Sequence, residues 1–313
     1  MHSVPLLRRL APLAAVLLAA PLVACGATPG GSDDGGKPVV AAAFYPLAWA
    51  AERVAGEHAT VENLTSPGGE PHDLELSIQQ TALVSEADLV VFEHGFQPAV
   101  DASVEENASG AVLDATEAVE LRPAVEHDHH EEEGHEDHAV DGGLDPHFWL
   151  DPLLMADLAD AVAASLAEAD PAHAQEYEAN AADVRADLET LDGEYADGLA
   201  RCERDTVVVT HDAFGYLDRY GVHMEPILGL SPGAEPSPAT LATLRDLIEE
   251  EGITTVFSER LLSAQTAKAL ATEAGVGTAV LDPLEGLGDE TADEDYLSLM
   301  RANLQALREA NGC

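Results

Sequence analysis

Residues 235–259 read EPSPATLATLRDLIEEEGITTVFSE. The part from Pro238 to Gly252 carries a helical pattern, and the run ITTVFSE at 253–259 is short, apolar and bounded by polar residues, which suits a buried strand. The same alternation extends outward on both sides. TVVVTHD (206–212) and VHMEPIL (222–228) come before it; the helical SAQTAKALATEAG (263–275) and then TAVLDPL (278–284) come after. The first half of the chain repeats the layout with PVVAAAFYP (38–46), ATVENL (59–64), DLVVFEHG (88–95) and GAVLDAT (110–116). Strands alternating with helices predict an α/β protein of two lobes, each with a parallel sheet flanked by helices.

A long helical stretch lies between the halves. From Pro171 to about Arg201 the apolar positions Tyr177, Ala181, Val184, Leu188, Leu191 and Tyr195 are spaced alternately by four and three, which draws one stripe along a helix. Pro171 suits a first helical turn, and Gly193 and Gly198 weaken the far end. About 30 helical residues span roughly 45 Å, enough to run along both lobes as a rigid link. The expected boundaries are a first lobe at 38–170, a linking helix at 171–201 and a second lobe at 202–313.

The N-terminus is a targeting segment. Arg8 and Arg9 precede an apolar stretch, Leu10 to about Val23, that is short for a membrane span and has the layout of a signal peptide. It ends Leu22-Val23-Ala24-Cys25, which is similar to a bacterial lipobox and makes Cys25 the expected lipid-bearing residue, with the signal peptide at 1–25; cleavage after Ala24 without a lipid is the alternative. Residues 26–37, beginning GATPGGSDDGG, form a flexible tether. The remaining cysteines, Cys202 and Cys313, suggest one disulfide in an exported chain, with two free thiols as the alternative.

The 313 residues suffice for two domains, and 46% hydrophobic residues fit a globular protein. The formal net charge of −45 repels phosphates and argues against nucleic-acid binding. It attracts cations, but only clustered ligands can argue for a metal. Ligands in open α/β domains sit beyond the carboxyl ends of strands. There the chain offers His211-Asp212, Asp282-Pro283, Glu259 and His94, and turn-like stretches add Glu70-Pro71-His72-Asp73 and Asp145-Pro146-His147. Three histidines and a carboxylate spread over both halves fit a Zn²⁺ site built across a cleft. Residues 126–138 read EHDHHEEEGHEDH, without an apolar residue. His127, His129, His130, His135 and His138 make this segment a loop that collects metal at low affinity. No H-E-x-x-H occurs; His135-Glu136-Asp137-His138 has another spacing, so a zinc hydrolase is not indicated.

PHDLELS around His72, LDPHFWLDP around His147, VTHDAFGYL around His211, residues 235–259 and VLDPLEGL around Asp282 together resemble the metal-binding lipoproteins of zinc and manganese ABC importers. The resemblance runs from about residue 38 to the end. It implies two α/β lobes joined by one long rigid helix, with His72, His147, His211 and Asp282 holding the metal in the cleft. It implies a monomer, anchored outside the cytoplasm by the lipid on Cys25, that delivers its ion to a membrane permease and is not an enzyme. Zn²⁺ is favoured over Mn²⁺, because zinc members carry a histidine where His211 stands and imidazole suits Zn²⁺. A manganese importer component and a metal-binding surface adhesin, a role attributed to some relatives, are the alternatives. Glu70 offers either an acidic contact in place of Asp282 or a hydrogen bond that orients His72, and His94 either a further ligand or a hydrogen bond.

Overall fold

The computed structural model describes His2, residues 36–125 and residues 143–313. The signal segment, Cys25, nearly all of the tether and the five histidines of 126–138 lie outside the described residues. In chain order the elements are β1 (Val39–Ala42), α1 (Tyr45–Ala55), β2 (Thr60–Asn63), α2 (Ile78–Glu86), β3 (Leu89–Phe92), α3 (Pro98–Asn107), β4 (Ala111–Asp114), α4 (Ala115–Ala118), α5 (Pro152–Ala169), α6 (Ala174–Leu199), β5 (Thr206–Val209), β6 (His223–Pro226), α7 (Pro238–Glu251), β7 (Thr255–Ser258), α8 (Gln265–Ala274), β8 (Gly277–Val280) and α9 (Tyr296–Asn311).

Each half forms a four-stranded, all-parallel sheet, ordered β2-β1-β3-β4 in the first and β6-β5-β7-β8 in the second. The inner strands, VVAA, LVVF, TVVV and TVFS, are mainly apolar and almost wholly buried, because helices cover both faces of a parallel sheet. Each strand is shorter than the apolar run that contains it. In PVVAAAFYP the strand stops at Ala42, and Tyr45 opens α1 with Pro46 in its first turn, where a missing N–H costs nothing. Side-chain caps set several other helix starts: Ser77 and Gln80 form a capping box on α2, Asp295 and Ser298 one on α9, and Ser237 caps α7 ahead of Pro238.

The α-helix proper begins at Ala174, because residues Pro171–His173 wind as a 3₁₀ turn. The stripe from Tyr177 to Tyr195 is buried along its length. This helix packs against α5 and α1 of the first half and α9 of the second. Arg53 on α1 pairs with Asp187 at 2.7 Å, and Arg301 on α9 pairs with Glu194 at 2.7 Å, so α6 is tied at its surface to both halves. One apolar core runs through both, including Phe44, Trp149, Tyr195, Leu281 and Tyr296. A smaller cluster of Val208, Ile227, Leu244, Ile248, Val256 and Leu270 lies under α7 and α8. A disulfide joins Cys202 to Cys313. Among the described residues no helix is long and apolar enough to cross a membrane.

Candidate metal centre

The strand order reverses between β1 and β3 and between β5 and β7, and at the carboxyl ends of such strands side chains face an open crevice. His211 follows β5 and Glu259 follows β7, at the reversal point of the second sheet. His72 lies in the loop between β2 and α2. His147 precedes a 3₁₀ turn, Phe148–Leu150, that leads into α5, which Asp151 caps through the Leu153 N–H. The structure brings His72, His147, His211 and Glu285 together, each offering one ligand atom within 4.8 Å of the others. They are 4%, 0%, 0% and 2% exposed.

Glu285 Oε1 stands 3.3 Å from His72 Nε2, 3.7 Å from His147 Nε2 and 3.3 Å from His211 Nε2. Zn–N bonds of about 2.0–2.1 Å in a tetrahedron set neighbouring ligand atoms about 3.4 Å apart. The group is therefore already spaced for an ion at its centre. The ring centroids lie 5.4 to 5.8 Å apart, and the Nε2 atoms of His147 and His211 are buried without a hydrogen-bond partner among the described residues. Buried ring nitrogens aimed at one point are what a cation would satisfy. Phe96 packs edge-on against His72, and Trp149 does the same against His147, so the wall around the group is apolar.

Each histidine is held by a carboxylate. Asp145 Oδ1 accepts from the His147 backbone N–H at 3.0 Å and lies 2.9 Å from its Nδ1. Glu259 Oε1 does the same for His211, at 3.1 and 2.8 Å. Glu70 Oε1 accepts from the His72 N–H at 3.0 Å. A carboxylate on Nδ1 fixes the ring and leaves Nε2 for a metal, the usual outer support of a ligating histidine. Burial opposes charge on His211, but Glu259 and Glu285 outweigh it and hold its pKa well above the usual histidine value. Burial likewise opposes charge on Glu285, yet His72 and His211 overcome it and hold its carboxyl well below the usual range. A positive charge belongs at this centre, and an ion can take the place of the shared protons.

The fourth group differs from the expected one. Asp282 does not join the cluster; its Oδ2 pairs with Arg260 Nε at 3.0 Å, and its Oδ1 accepts from the Leu284 N–H at 2.9 Å. The chain turns after Asp282, so the carboxylate next to the strand faces away and the one three residues on faces in. Glu285 stands in the quoted VLDPLEGL, but sequence spacing does not say which acid the turn selects. Glu70 lies outside the cluster and shapes the turn that carries His72. His94 is also outside it: its side chain is 53% exposed, with Nδ1 3.7 Å from Asp101. The supporting roles of Asp145 and Glu70 had a signal, since Glu70-Pro71-His72 and Asp145-Pro146-His147 repeat one acid-Pro-His pattern.

The chain is 36% identical over 312 residues to the zinc-binding lipoprotein AdcA of Streptococcus pneumoniae, covering 97% of this chain but 61% of that one, so it spans about three fifths of that relative. It is 33% identical to the high-affinity zinc uptake system protein ZnuA of Bacillus subtilis, over 92% of this chain and 93% of that one. Its fold is similar to that of the Zn(II)-bound ZnuA-like domain of Streptococcus pneumoniae AdcA, with a TM-score of 0.74 and 34% identity, covering 89% of this chain and all of that domain. Residues 40–310 match the periplasmic zinc-uptake complex component A, and the chain belongs to that family.

Proposed function

We propose that this protein captures one Zn²⁺ between His72, His147, His211 and Glu285 outside the cytoplasm and hands it to the permease of an ABC importer. The observation that carries this reading is the buried group of three imidazoles and one carboxylate, whose ligand atoms converge at a spacing that suits a tetrahedral ion. Three nitrogen donors and one oxygen suit Zn²⁺; Mn²⁺ favours more oxygen ligands and six positions. The kinship with zinc-uptake components supports the role of carrier. Four protein ligands close the coordination shell, whereas zinc hydrolysis needs an open position for water, so binding and delivery fit better than catalysis. A lipid on Cys25 with the tether at 26–37 would keep the protein near its permease as a monomer. The histidines of 126–138 would gather ions around the cleft.

The test is a competition titration. The full chain, stripped of metal, takes Zn²⁺ and Mn²⁺ against a chelator of known affinity, as do His211→Ala, Glu285→Gln and a variant lacking 126–138. Tight one-to-one Zn²⁺ binding is expected, weakened at least about 100-fold in His211→Ala, which loses a ligand outright, and retained without the loop. Tight binding that survives His211→Ala but vanishes with the loop would overturn the cleft site. Preference for Mn²⁺ would change the cargo.

A further inference from the structure

Among the described residues, Leu284 is the one non-glycine residue with a positive φ, at 59°. A bulky side chain disfavours this left-handed conformation, so neighbouring structure must hold it there. The turn from Asp282 to Glu285 is held from several sides. The Asp282 N–H donates to Asn303 Oδ1 at 2.9 Å, and Asn303 Nδ2 donates to the Asp282 carbonyl at 2.6 Å. Trp149 Nε1 donates to the Pro283 carbonyl at 2.7 Å. The Leu284 N–H donates to Asp282 Oδ1 at 2.9 Å, while Arg260 engages the other oxygen. Asp282 is 5% exposed and Leu284 is fully buried. The next residue is Glu285, whose carboxylate meets three imidazoles.

We propose that Asp282 is a positioning residue for the metal contact made by Glu285: its carboxylate, braced by Arg260, holds Leu284 left-handed and so aims Glu285 at His72, His147 and His211. This rests on the reading that the ion lies among those four residues. Glu285 sits on a segment between β8 and α9 without regular structure, so its aim depends on the turn that precedes it. Loosening that turn frees the one carboxylate ligand while leaving the three histidines on their own supports. The consequence is weaker binding that arises through faster release.

A double-mutant cycle on the full chain tests this, with Zn²⁺ affinity from chelator competition, release rate from a chelator chase, and circular dichroism of the metal-free form as the check on folding. Asp282→Ala is expected to bind Zn²⁺ about 10- to 100-fold more weakly, the usual cost of losing a residue that supports a ligand, with the loss in the release rate. Asp282→Asn, which keeps an oxygen for the Leu284 N–H, should retain most of the affinity. Asp282→Ala combined with Glu285→Gln should bind no more weakly than Glu285→Gln alone, because the first change acts through the second residue. Effects that multiply, or an Asp282→Asn as damaging as Asp282→Ala, would mark Asp282 as a ligand and overturn the proposal. Unchanged affinity in Asp282→Ala would overturn it as well. Should Glu285→Gln bind like the wild type, the four-residue site itself fails, and this inference with it. If Asp282→Ala does not fold, Arg260→Gln carries the same cycle: several-fold weaker binding that vanishes in the Glu285→Gln background supports the proposal, and unchanged binding sinks it.

Discussion

Glu93 follows β3 with a carboxyl that is 2% exposed, and neither oxygen has a hydrogen-bond partner among the described residues. Burial pushes its pKa well above the usual carboxylate value, and the nearby charges of Asp145, Asp114 and Asp101 push the same way. The folded chain therefore keeps this group protonated where the unfolded chain releases the proton, above about pH 4.3. For a raised acid, stability is full below the unfolded pKa and falls as pH rises toward the folded one. Glu93→Gln removes that loss. We expect the variant to melt a few degrees higher than the wild type at pH 7, as about 1 kcal/mol would do in a chain of this size, with the gap closing as pH falls to about 4. Melting curves from pH 4 to 8 check it; a gap that does not change with pH would place the effect in packing rather than in protonation. The histidines behave differently, since each has a carboxylate on its ring or backbone, and the acid-Pro-His repeat made two of those supports readable. Glu285 was not readable, because a left-handed Leu284 decides which side of the turn faces the cleft.

The body of helix α6 was legible from the spacing of six apolar residues, since periodicity reports which face is buried whatever that face packs against. Its start was less legible. Asp170 turns its carboxylate to His173 Nδ1 and to the Tyr177 hydroxyl instead of capping the backbone, and the first turn tightens to 3₁₀. Two glycines sit in the second half of the helix, and the structure separates them. A Cβ added at Gly193 meets nothing within 4 Å, while one added at Gly198 comes within 3.1 Å of Leu304 Cδ1. Gly193→Ala should stabilise the protein by roughly 0.5–1 kcal/mol through lower backbone entropy of the unfolded chain. Gly198→Ala should gain less or lose, because Leu304 must shift. Urea unfolding of the two variants side by side makes the comparison, and equal gains would show that Leu304 yields freely.

The two halves are bound to each other on several sides of the metal centre. Tyr296 on α9 donates to the Trp149 carbonyl at 2.6 Å and stacks on Trp49 of α1, Arg219 clasps Asp151, and the Gly68 N–H donates to the Leu287 carbonyl at 2.7 Å. Together with α6, these ties leave little freedom for the halves to swing. The Cys202–Cys313 disulfide closes a separation of 111 residues and anchors the end of α9 beside the start of β5. Replacing both cysteines by serine should cost about 2–5 kcal/mol of stability, the range for a native disulfide with a long loop. Zinc stoichiometry should stay at one per chain, since neither sulfur is near the ligand group. Denaturant unfolding and metal analysis of the same sample check both parts, and lost zinc in a folded variant would contradict the second.

The sequence by itself determined the α/β class, the repeated layout of the halves, the long helix and the three histidines, because strand and helix periods and strand-end positions are local properties of the chain. The tertiary structure alone decided the fourth group of the cluster, the pairing of His211 with Glu259 and the burial of the whole centre. Those depend on residues far apart in sequence, such as His211 with Glu259 and His72 with Glu285, meeting at one point. They depend also on a turn whose handedness is set by Asp282, Arg260 and Asn303 together, and no local pattern encodes that.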